Sequence, residues 1–228
     1  MFPDGKMKAL TLSYDDGVEQ DRKLLEIMNR HNIKGTFNLN SGCQSGANKA
    51  VRGEVVIQRM NIRSLPALYK GHEIAVHSLT HPRLENLDKE TILNELEQDK
   101  INLERIFDTR IYGMAYPFGT FNDTVVEAVR ECDLRYARGV KSTFSFDVSG
   151  DLLKYQPTAK HTDSSLMQLA EDFIRMTPSE PQVFYVWGHS YEFDMDNNWQ
   201  LIEDFCGLMA GHDDIFYATN AQALLGIT

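Results

Sequence analysis

Short apolar strands and amphipathic helices alternate along nearly the whole chain, and this alternation constrains the fold more than any other feature. Apolar residues at helical spacing, as in Leu24, Leu25 and Met28, predict helices between the strands. Strands that alternate with helices form a mostly parallel sheet with helices outside it. Seven such units favour a closed or nearly closed barrel over an open sheet. The predicted strands are 8–14, 35–39, 73–76, 111–116, 134–137, 183–187 and 215–218.

Capping and turn residues indicate where some of these segments begin and end. Asp88 can cap a long helix, and Asn122 or Asp123 can start the next one. Two segments lack a periodic pattern. Residues 40–52 are rich in Gly, Ser and Asn, and residues 141–162 are irregular, so both are expected to be loops.

Length, charge and cysteine content restrict the class of protein. The 228 residues suit a single domain, 1–228, with a sizeable core. A formal net charge of −10 argues against nucleic acid or an anionic membrane as partner. No apolar run is long enough to span a bilayer, and the first residues do not resemble a signal peptide. Three cysteines without a CxxC pair favour a reducing compartment. We therefore expect a cytoplasmic protein, and the sequence does not indicate its oligomeric state.

Two adjacent carboxylates follow the first predicted strand, in Ser13-Tyr14-Asp15-Asp16-Gly17. Neighbouring side chains of an extended chain point to different sides. One carboxylate can therefore bind a metal while the other faces a water on that metal. Asp and Gly are also common in solvated turns, and such a turn is the more frequent meaning of this pair taken alone.

Two histidines follow the third predicted strand, in His77-Ser78-Leu79-Thr80-His81. Two imidazoles four residues apart can meet at one ion if the chain curls between them. With a carboxylate they form a set suited to zinc or another divalent transition ion. A histidine pair alone is more often a surface or hydrogen-bonded structural feature.

Two further clusters follow the fourth and sixth predicted strands. Residues 116–120 include Pro and Gly, whose tight turn can present backbone N–H groups to an oxyanion or can simply connect two elements. In residues 187–192, His189 can serve as a general acid that Glu192 orients, although a lone histidine is more often structural. All four clusters fall at the C-terminal ends of predicted parallel strands, where active sites of this fold class lie. We therefore expect them to share one pocket.

The first two clusters together resemble the opening motifs of the polysaccharide deacetylase family, which is also called carbohydrate esterase family 4 or the NodB homology domain. The family's Thr-Phe-Asp-Asp-Gly corresponds to residues 13–17, and its His-(Ser/Thr)-x-x-His corresponds to residues 77–81. The resemblance spans nearly the whole chain. It implies an α/β fold, a distorted (β/α)7 barrel of the NodB/polysaccharide deacetylase type.

The resemblance also implies a metal-assisted hydrolysis of an amide or ester bond. Asp15 would take a proton as water attacks, His189 would protonate the leaving group, and the Phe118 N–H would help to hold the oxyanion. The metal is expected to be Zn²⁺, with Co²⁺, Mn²⁺ or Ni²⁺ as alternatives. Asp16, His77 and His81 would bind the metal. Ser78 would brace the histidine loop, and Glu192 would orient His189. Tyr116 and Trp187 would contact the substrate.

One later motif of the family is altered here. Its Arg-x-Pro-Tyr has Ala115 at the arginine position and Phe118 at the tyrosine position. The family arginine normally steadies the catalytic aspartate. Arg138, at the end of the fifth predicted strand, is the candidate replacement and is expected to contact Asp15, because a guanidinium orients a carboxylate well. The alternatives are Arg135, Arg110, a surface position for Arg138, or no arginine at all.

Another family motif, acidic residues beside a tryptophan, has no clean match in 141–162. His161 and Asp163 are the candidates to substitute for it, and the favoured interpretation is that neither does. The departures affect the substrate more than the reaction. The favoured function is removal of N- or O-acetyl groups from a carbohydrate. The alternatives are an amidase acting on a small amide or ureide and a catalytically weakened carbohydrate-binding domain. The expected partner is accordingly an acetylated sugar or a small amide.

Overall fold

A computed structural model describes residues 1–227 of the protein and contains ten β-strands within that range. Eight of them form one sheet in which every pairing is parallel. The other two form an antiparallel hairpin. The strands are β1 (Lys8–Asp15), β2 (Gly35–Leu39), β3 (Lys49–Arg52), β4 (Val55–Gln58), β5 (Glu73–Val76), β6 (Gly113–Ala115), β7 (Tyr136–Arg138), β8 (Ala159–Lys160), β9 (Gln182–Gly188) and β10 (Ile215–Tyr217).

Helices separate most of these strands, as the apolar spacing predicts. Asp88 and Asn122 are the N-caps of two of them, and their side chains accept hydrogen bonds from backbone N–H groups three residues later. No helix among residues 1–227 is long and apolar enough to cross a membrane. The helices are α1 (Asp21–Arg30), α2 (Leu65–Leu68), α3 (Lys89–Phe107), α4 (Asp123–Glu131), α5 (Leu166–Arg175), α6 (Glu192–Met195), α7 (Trp199–Met209) and α8 (Asn220–Leu225).

The large sheet is built around β1, which is buried along its whole length. The strand order is β7-β6-β5-β2-β1-β9-β8, and β10 pairs with β1 beside the start of that strand. A parallel bridge between Arg138 and Tyr155 extends the β7 edge towards the segment before β8. The expected α/β barrel is therefore confirmed as a curled parallel sheet with helices packed on it. Because the strands are parallel, the segments after β1, β5, β6 and β9 meet at one end of the sheet.

Two segments expected to be loops contain strands. Residues 40–52 include β3, which pairs with β4, and residues 141–162 include β8. All four residues of β3 are exposed, so the strand has no apolar pattern that would reveal it. β8 is only two residues long, and its place is set by pairing with β9. Backbone pairing forms both strands: β3 pairs with the adjacent β4 in a hairpin, and β8 pairs with the more distant β9.

Candidate active site

All four sequence clusters line one cavity of about 270 Å³ at the C-terminal end of the sheet. Each cluster contributes at least one lining residue, for example Asp15, His77, Phe118 and His189. Arg52, from the unexpected hairpin, also lines it. The cavity therefore combines the ends of four parallel strands with a side chain from β3.

Asp16, His77 and His81 form a group whose potential ligand atoms lie within 4.8 Å of one another. The Nδ1 atom of His77 lies 2.8 Å from the carbonyl oxygen of Ala115, to which its N–H donates, so Nε2 is left for an ion. Burial lowers the pKa of His77 to about 4 and also lowers the pKa of His81. Both imidazoles are therefore neutral at pH 7, as metal ligands must be.

Backbone geometry curls the loop that carries the two histidines. Ser78 and His81 have positive φ angles of 63° and 61°. The His81 N–H donates to the Ser78 hydroxyl over 3.1 Å. Asn40, just after β2, donates from Nδ2 to the carbonyl oxygens of His77 and Ser78. Ser78 thus lies inside the loop, where a side chain can brace it, and the two imidazoles face each other with ring centroids 4.8 Å apart.

Asp16 lies in a tight turn and has an unexpected partner. Its φ is 84°, and Gly17 after it has a φ of 62°, so the chain turns sharply away from β1. Arg59 donates from Nη2 to Asp16 Oδ1 over 2.5 Å and from Nη1 to Asn40 Oδ1 over 2.6 Å. Burial raises the pKa of Asp16, but Arg59 and the nearby histidines lower it by more. The pKa therefore lies below its ordinary value, and the carboxyl is ionised. A carboxylate has two oxygens, so Arg59 can occupy one and an ion the other.

Asp15 faces the opposite side of the turn and contacts Arg138. Its Oδ1 accepts hydrogen bonds from Arg138 Nη2 over 2.5 Å and from Asn38 Nδ2 over 2.8 Å. The expected Arg138–Asp15 contact is therefore present, and the Arg138 side chain is fully buried. Arg135 is exposed, and Arg110 pairs with a surface carboxylate. Burial raises the pKa of Asp15, but Arg138 holds it below its ordinary value, so the carboxylate is ionised.

His189 lies between the two carboxylates Asp15 and Glu192. Its Nε2 is 3.9 Å from Asp15 Oδ2, and its Nδ1 is 3.5 Å from Glu192 Oε2. Lys160 Nζ lies 2.7 Å from Glu192 Oε1. Burial raises the pKa of Glu192, but its hydrogen bonds and these cations lower it to about 2. Burial lowers the pKa of His189, but Glu192 and Asp15 raise it more, and the net shift favours the protonated ring.

The residues expected at the substrate differ in exposure. The Tyr116 hydroxyl donates to the carbonyl oxygen of Leu153 over 2.7 Å, so only its ring is available to the cavity. Trp187 is 7% exposed. Phe118 is 48% exposed, has a φ of 59°, and its ring lies edge-on to His81 at 4.7 Å. Of these side chains, Phe118 offers the most surface to a ligand.

Neither candidate for the missing acidic motif lines the cavity. His161 is fully buried and stacks on Phe193 at 4.2 Å. Asp163 accepts hydrogen bonds from the Lys160 N–H and the Ser142 hydroxyl, and so stabilises a local turn. The sequence interpretation that neither of them replaces the motif therefore agrees with the lining of the cavity.

Besides Arg52 in the cavity wall, the residues Asn38, Asn40 and Arg59, which support the site, were missed from the sequence. The two asparagines carry a usable signal, because they are polar residues two apart at the end of an otherwise apolar buried strand. Arg59 carries none, since it lies beyond a segment expected to be a loop. Its contact with Asp16 depends on the β3–β4 hairpin.

Comparison with known proteins agrees with this geometry. The polysaccharide deacetylase family model matches residues 3–137. A peptidoglycan-N-acetylglucosamine deacetylase of Listeria monocytogenes is 28% identical over 127 residues, which cover 54% of this chain and 24% of that protein. The uncharacterized protein YlxY of Bacillus subtilis is 27% identical over 129 residues, which cover 57% of this chain and 36% of that protein. The matched stretch is well under half of either relative.

Solved structures share the fold at low identity. A family 4 carbohydrate esterase from Streptomyces lividans, in complex with acetate, has a TM-score of 0.61 at 17% identity and covers 93% of this chain and 92% of that chain. A CE4 family pseudoenzyme from Bacillus anthracis has a TM-score of 0.57 at 18% identity, covering 97% and 66%. The family model, which matches more than half of the sequence, decides the assignment: the chain belongs to the polysaccharide deacetylase family.

Proposed function

We propose that residues 1–228 form one catalytic domain that removes acetyl groups from an acetylated carbohydrate by hydrolysis. One observation carries this proposal. Asp15, held by the buried Arg138, lies between the group formed by Asp16, His77 and His81 and the candidate acid His189. Family membership supports hydrolysis of an amide bond. The acetate complex of the Streptomyces esterase supports an acetyl group as the part removed.

The donor set fits a divalent transition ion. Two neutral imidazoles and an ionised carboxylate, with ligand atoms within 4.8 Å of one another, are typical of zinc, and Co²⁺, Mn²⁺ and Ni²⁺ accept the same donors. Asp16, His77 and His81 would hold the ion. When bound, such an ion supplies a Lewis acid for the carbonyl group and lowers the pKa of water.

Asp15 is proposed as the general base. Its Oδ1 is occupied by Arg138 and Asn38, so Oδ2 is the oxygen free to take a proton. Arg138 fixes the orientation of the carboxylate, which is the task of the family arginine absent at Ala115. Because the carboxylate is already oriented, no side-chain conformational entropy has to be lost when it takes the proton from water.

His189 is proposed as the general acid. Its raised pKa favours the protonated ring, and Nε2 faces the side of Asp15 that carries the free oxygen. Glu192 Oε2 lies 3.5 Å from the opposite ring nitrogen and accepts a hydrogen bond from the His189 backbone N–H, which places Glu192 to orient the imidazole. Protonation of the leaving amine is needed because an amide nitrogen is too basic to leave as an anion.

The Phe118 N–H is proposed to hold the oxyanion, and the rings of Tyr116 and Trp187 to bound the substrate. The positive φ of Phe118 supports the first role, because such a turn can turn an N–H towards a ligand. The small-amide substrate and the cytoplasmic location stay predictions.

A non-catalytic carbohydrate-binding domain is the second candidate. The Bacillus anthracis pseudoenzyme has the same fold. The contact of Arg59 with Asp16 Oδ1 also favours this candidate, because a guanidinium competes with an ion for that oxygen. The intact donor set and the Arg138–Asp15 pair favour the enzyme.

Metal content and acetate release test the proposal together. Protein purified without chelator is analysed for bound metals and then assayed with N-acetylglucosamine oligosaccharides and with a small cyclic ureide. We expect about one divalent ion per chain and acetate release that a chelator abolishes. A metal-loaded protein that binds the oligosaccharide but releases no acetate contradicts the enzyme and supports the second candidate. Turnover of the ureide alone supports the small-amide substrate.

A further inference from the structure

A second cavity adjoins the first and is much more basic than the protein as a whole. Its volume is about 250 Å³, and it shares Asp16, Arg52 and Tyr191 with the cavity that contains Asp15. Lys49 and Arg59 also line it. The two cavities together reach the range of about 300–1,000 Å³ usual for small-molecule sites. We call this second space the basic cavity.

The charges of the basic cavity are not neutralised within it. Asp16 is the one acidic residue in its wall, and Arg59 already pairs with Asp16. Among residues 1–227, neither Lys49 nor Arg52 has a carboxylate oxygen within 4.0 Å of its charged nitrogens. The guanidinium of Arg52 lies 5.5 Å from the centre of the Tyr191 ring. Two cations therefore face this space without an acidic partner.

The β3–β4 hairpin that carries these cations is fixed to the catalytic region. Val18, Ile57 and Tyr191 form a small buried apolar cluster beneath it. The Glu19 N–H donates to the carbonyl oxygen of Gln58 over 2.9 Å, and an antiparallel bridge joins Val18 to Arg59. The hairpin is thus anchored to the chain directly after Asp16. This anchoring keeps the backbone that carries Lys49 and Arg52 next to the catalytic cavity, although both side chains are exposed.

We propose that the basic cavity is a subsite for an anionic substituent, a carboxylate or a phosphate, on the acetylated saccharide. This rests on the proposed function and narrows its substrate class. The chain carries a net charge of −10, so its overall field repels an anionic sugar. Unpaired cations beside the catalytic cavity offset that repulsion at one place. A neutral saccharide could accept hydrogen bonds from them but would gain no charge–charge attraction.

Three substrates that differ at one position test the subsite. They are an N-acetylglucosamine trisaccharide, its derivative oxidised to a carboxylate at C6, and its 6-phosphate. The variant is Lys49→Gln with Arg52→Gln. The matched control is Arg63→Gln with Lys70→Gln, which makes the same change in net charge at two exposed residues outside both cavities.

The measured quantity is the ratio of kcat/KM for each anionic substrate to kcat/KM for the neutral one. We expect the Lys49/Arg52 variant to lower this ratio about fivefold, because charge pairs at exposed positions are screened by solvent and each contributes modestly. The control pair should leave the ratio unchanged. High salt should lower the wild-type ratio towards that of the variant. The anionic substrate with the larger ratio shows whether the subsite prefers a carboxylate or a phosphate.

Binding to the Asp15→Asn protein separates this inference from the proposed function. Calorimetry with the same three saccharides needs no turnover. Tighter binding of an anionic saccharide that depends on Lys49 and Arg52 supports the subsite even if no acetate is released by the wild-type protein. Equal affinity for all three saccharides, or an equal effect of the control pair, overturns the subsite even if the enzyme is active.

Discussion

The two sides of the catalytic cavity are built differently. On one side, a curled loop with positive φ angles brings His77 and His81 together, and the pairing of β1, β2 and β5 places Asp16 beside them. On the other side, Asp15 contacts Arg138, which is 123 residues away in sequence, and faces His189. The two histidines of the first side are placed by local backbone geometry. The second side depends on the packing of the whole sheet.

The histidines of the two sides also differ in charge. Burial lowers the pKa of His77 to about 4 and lowers that of His81, so both are neutral. His189, whose side chain is 20% exposed, has a raised pKa, because Glu192, Asp15 and Asp16 outweigh the loss of solvent. One residue type is therefore suited to binding an ion on one side and to donating a proton on the other. Asp15 and Asp16 lie near all three histidines, so the contact with Glu192 makes the difference.

The largest effect is expected from breaking the side that holds the ion. His81→Gln removes one of three candidate ligands from a side chain that is 20% exposed, so the fold should tolerate it. Bound metal should be lost, and activity should fall about 10³-fold or more, because a metal supplies several kcal/mol to such reactions. Metal analysis and acetate release measure both. His212→Gln is the control, since His212 contacts only its own chain segment. Full metal content in His81→Gln contradicts the triad.

Asp15→Asn tests whether the two sides are functionally separate. The change removes the proposed base but none of the candidate ligands. Turnover should fall about 10²–10⁴-fold, as is usual for loss of a general base, while the metal content stays at its wild-type value. Parallel loss of metal and rate would mean that Asp15 is itself a ligand, and the division between the sides would be wrong.

Arg138→Lys sharpens the comparison within the second side. Lysine keeps the charge beside Asp15 but cannot reproduce the planar guanidinium, so the carboxylate loses its fixed orientation. We expect kcat to fall about tenfold with little change in KM, since roughly 1–2 kcal/mol of a charge-assisted hydrogen bond is at stake. Steady-state kinetics measure the split. Arg135→Lys, on the exposed side of the same segment, is the control and should have no effect. An equal rise in KM would indicate a substrate contact instead.

The smallest effect is expected from Glu192→Gln. Glu192 raises the pKa of His189, so the neutral side chain should lower it. The acid form of His189 is the active one, and a lower pKa means that this form is lost at lower pH. The alkaline limb of the kcat/KM profile should therefore move to lower pH. Glu203→Gln, which affects the outer His31–Glu203 pair, should not move that limb. An unchanged limb in Glu192→Gln excludes His189 as the titrating acid.

The sequence by itself determined the parallel α/β arrangement and the ends of the strands that meet at the site. Apolar periodicity and the caps Asp88 and Asn122 are local features, and the chain satisfies them with local hydrogen bonds. The histidine loop is local in part: the His81 N–H bonds to the Ser78 hydroxyl within residues 77–81, whereas Asn40 reaches it from the end of β2. The periodicity and the caps could be predicted because their causes lie within a few residues.

Only the tertiary structure decided the partners of the charges. Arg59 reaches Asp16 because the β3–β4 hairpin, whose first strand is fully exposed, is anchored beside β1. Arg138 was only one of three candidate arginines until the parallel pairing of β7 placed it, buried, against Asp15. His161, a candidate for the cavity wall, instead stacks beneath it on Phe193. Charge–charge contacts between distant segments leave no periodic trace in a sequence, because nothing in the spacing of one segment records which other segment will pack against it.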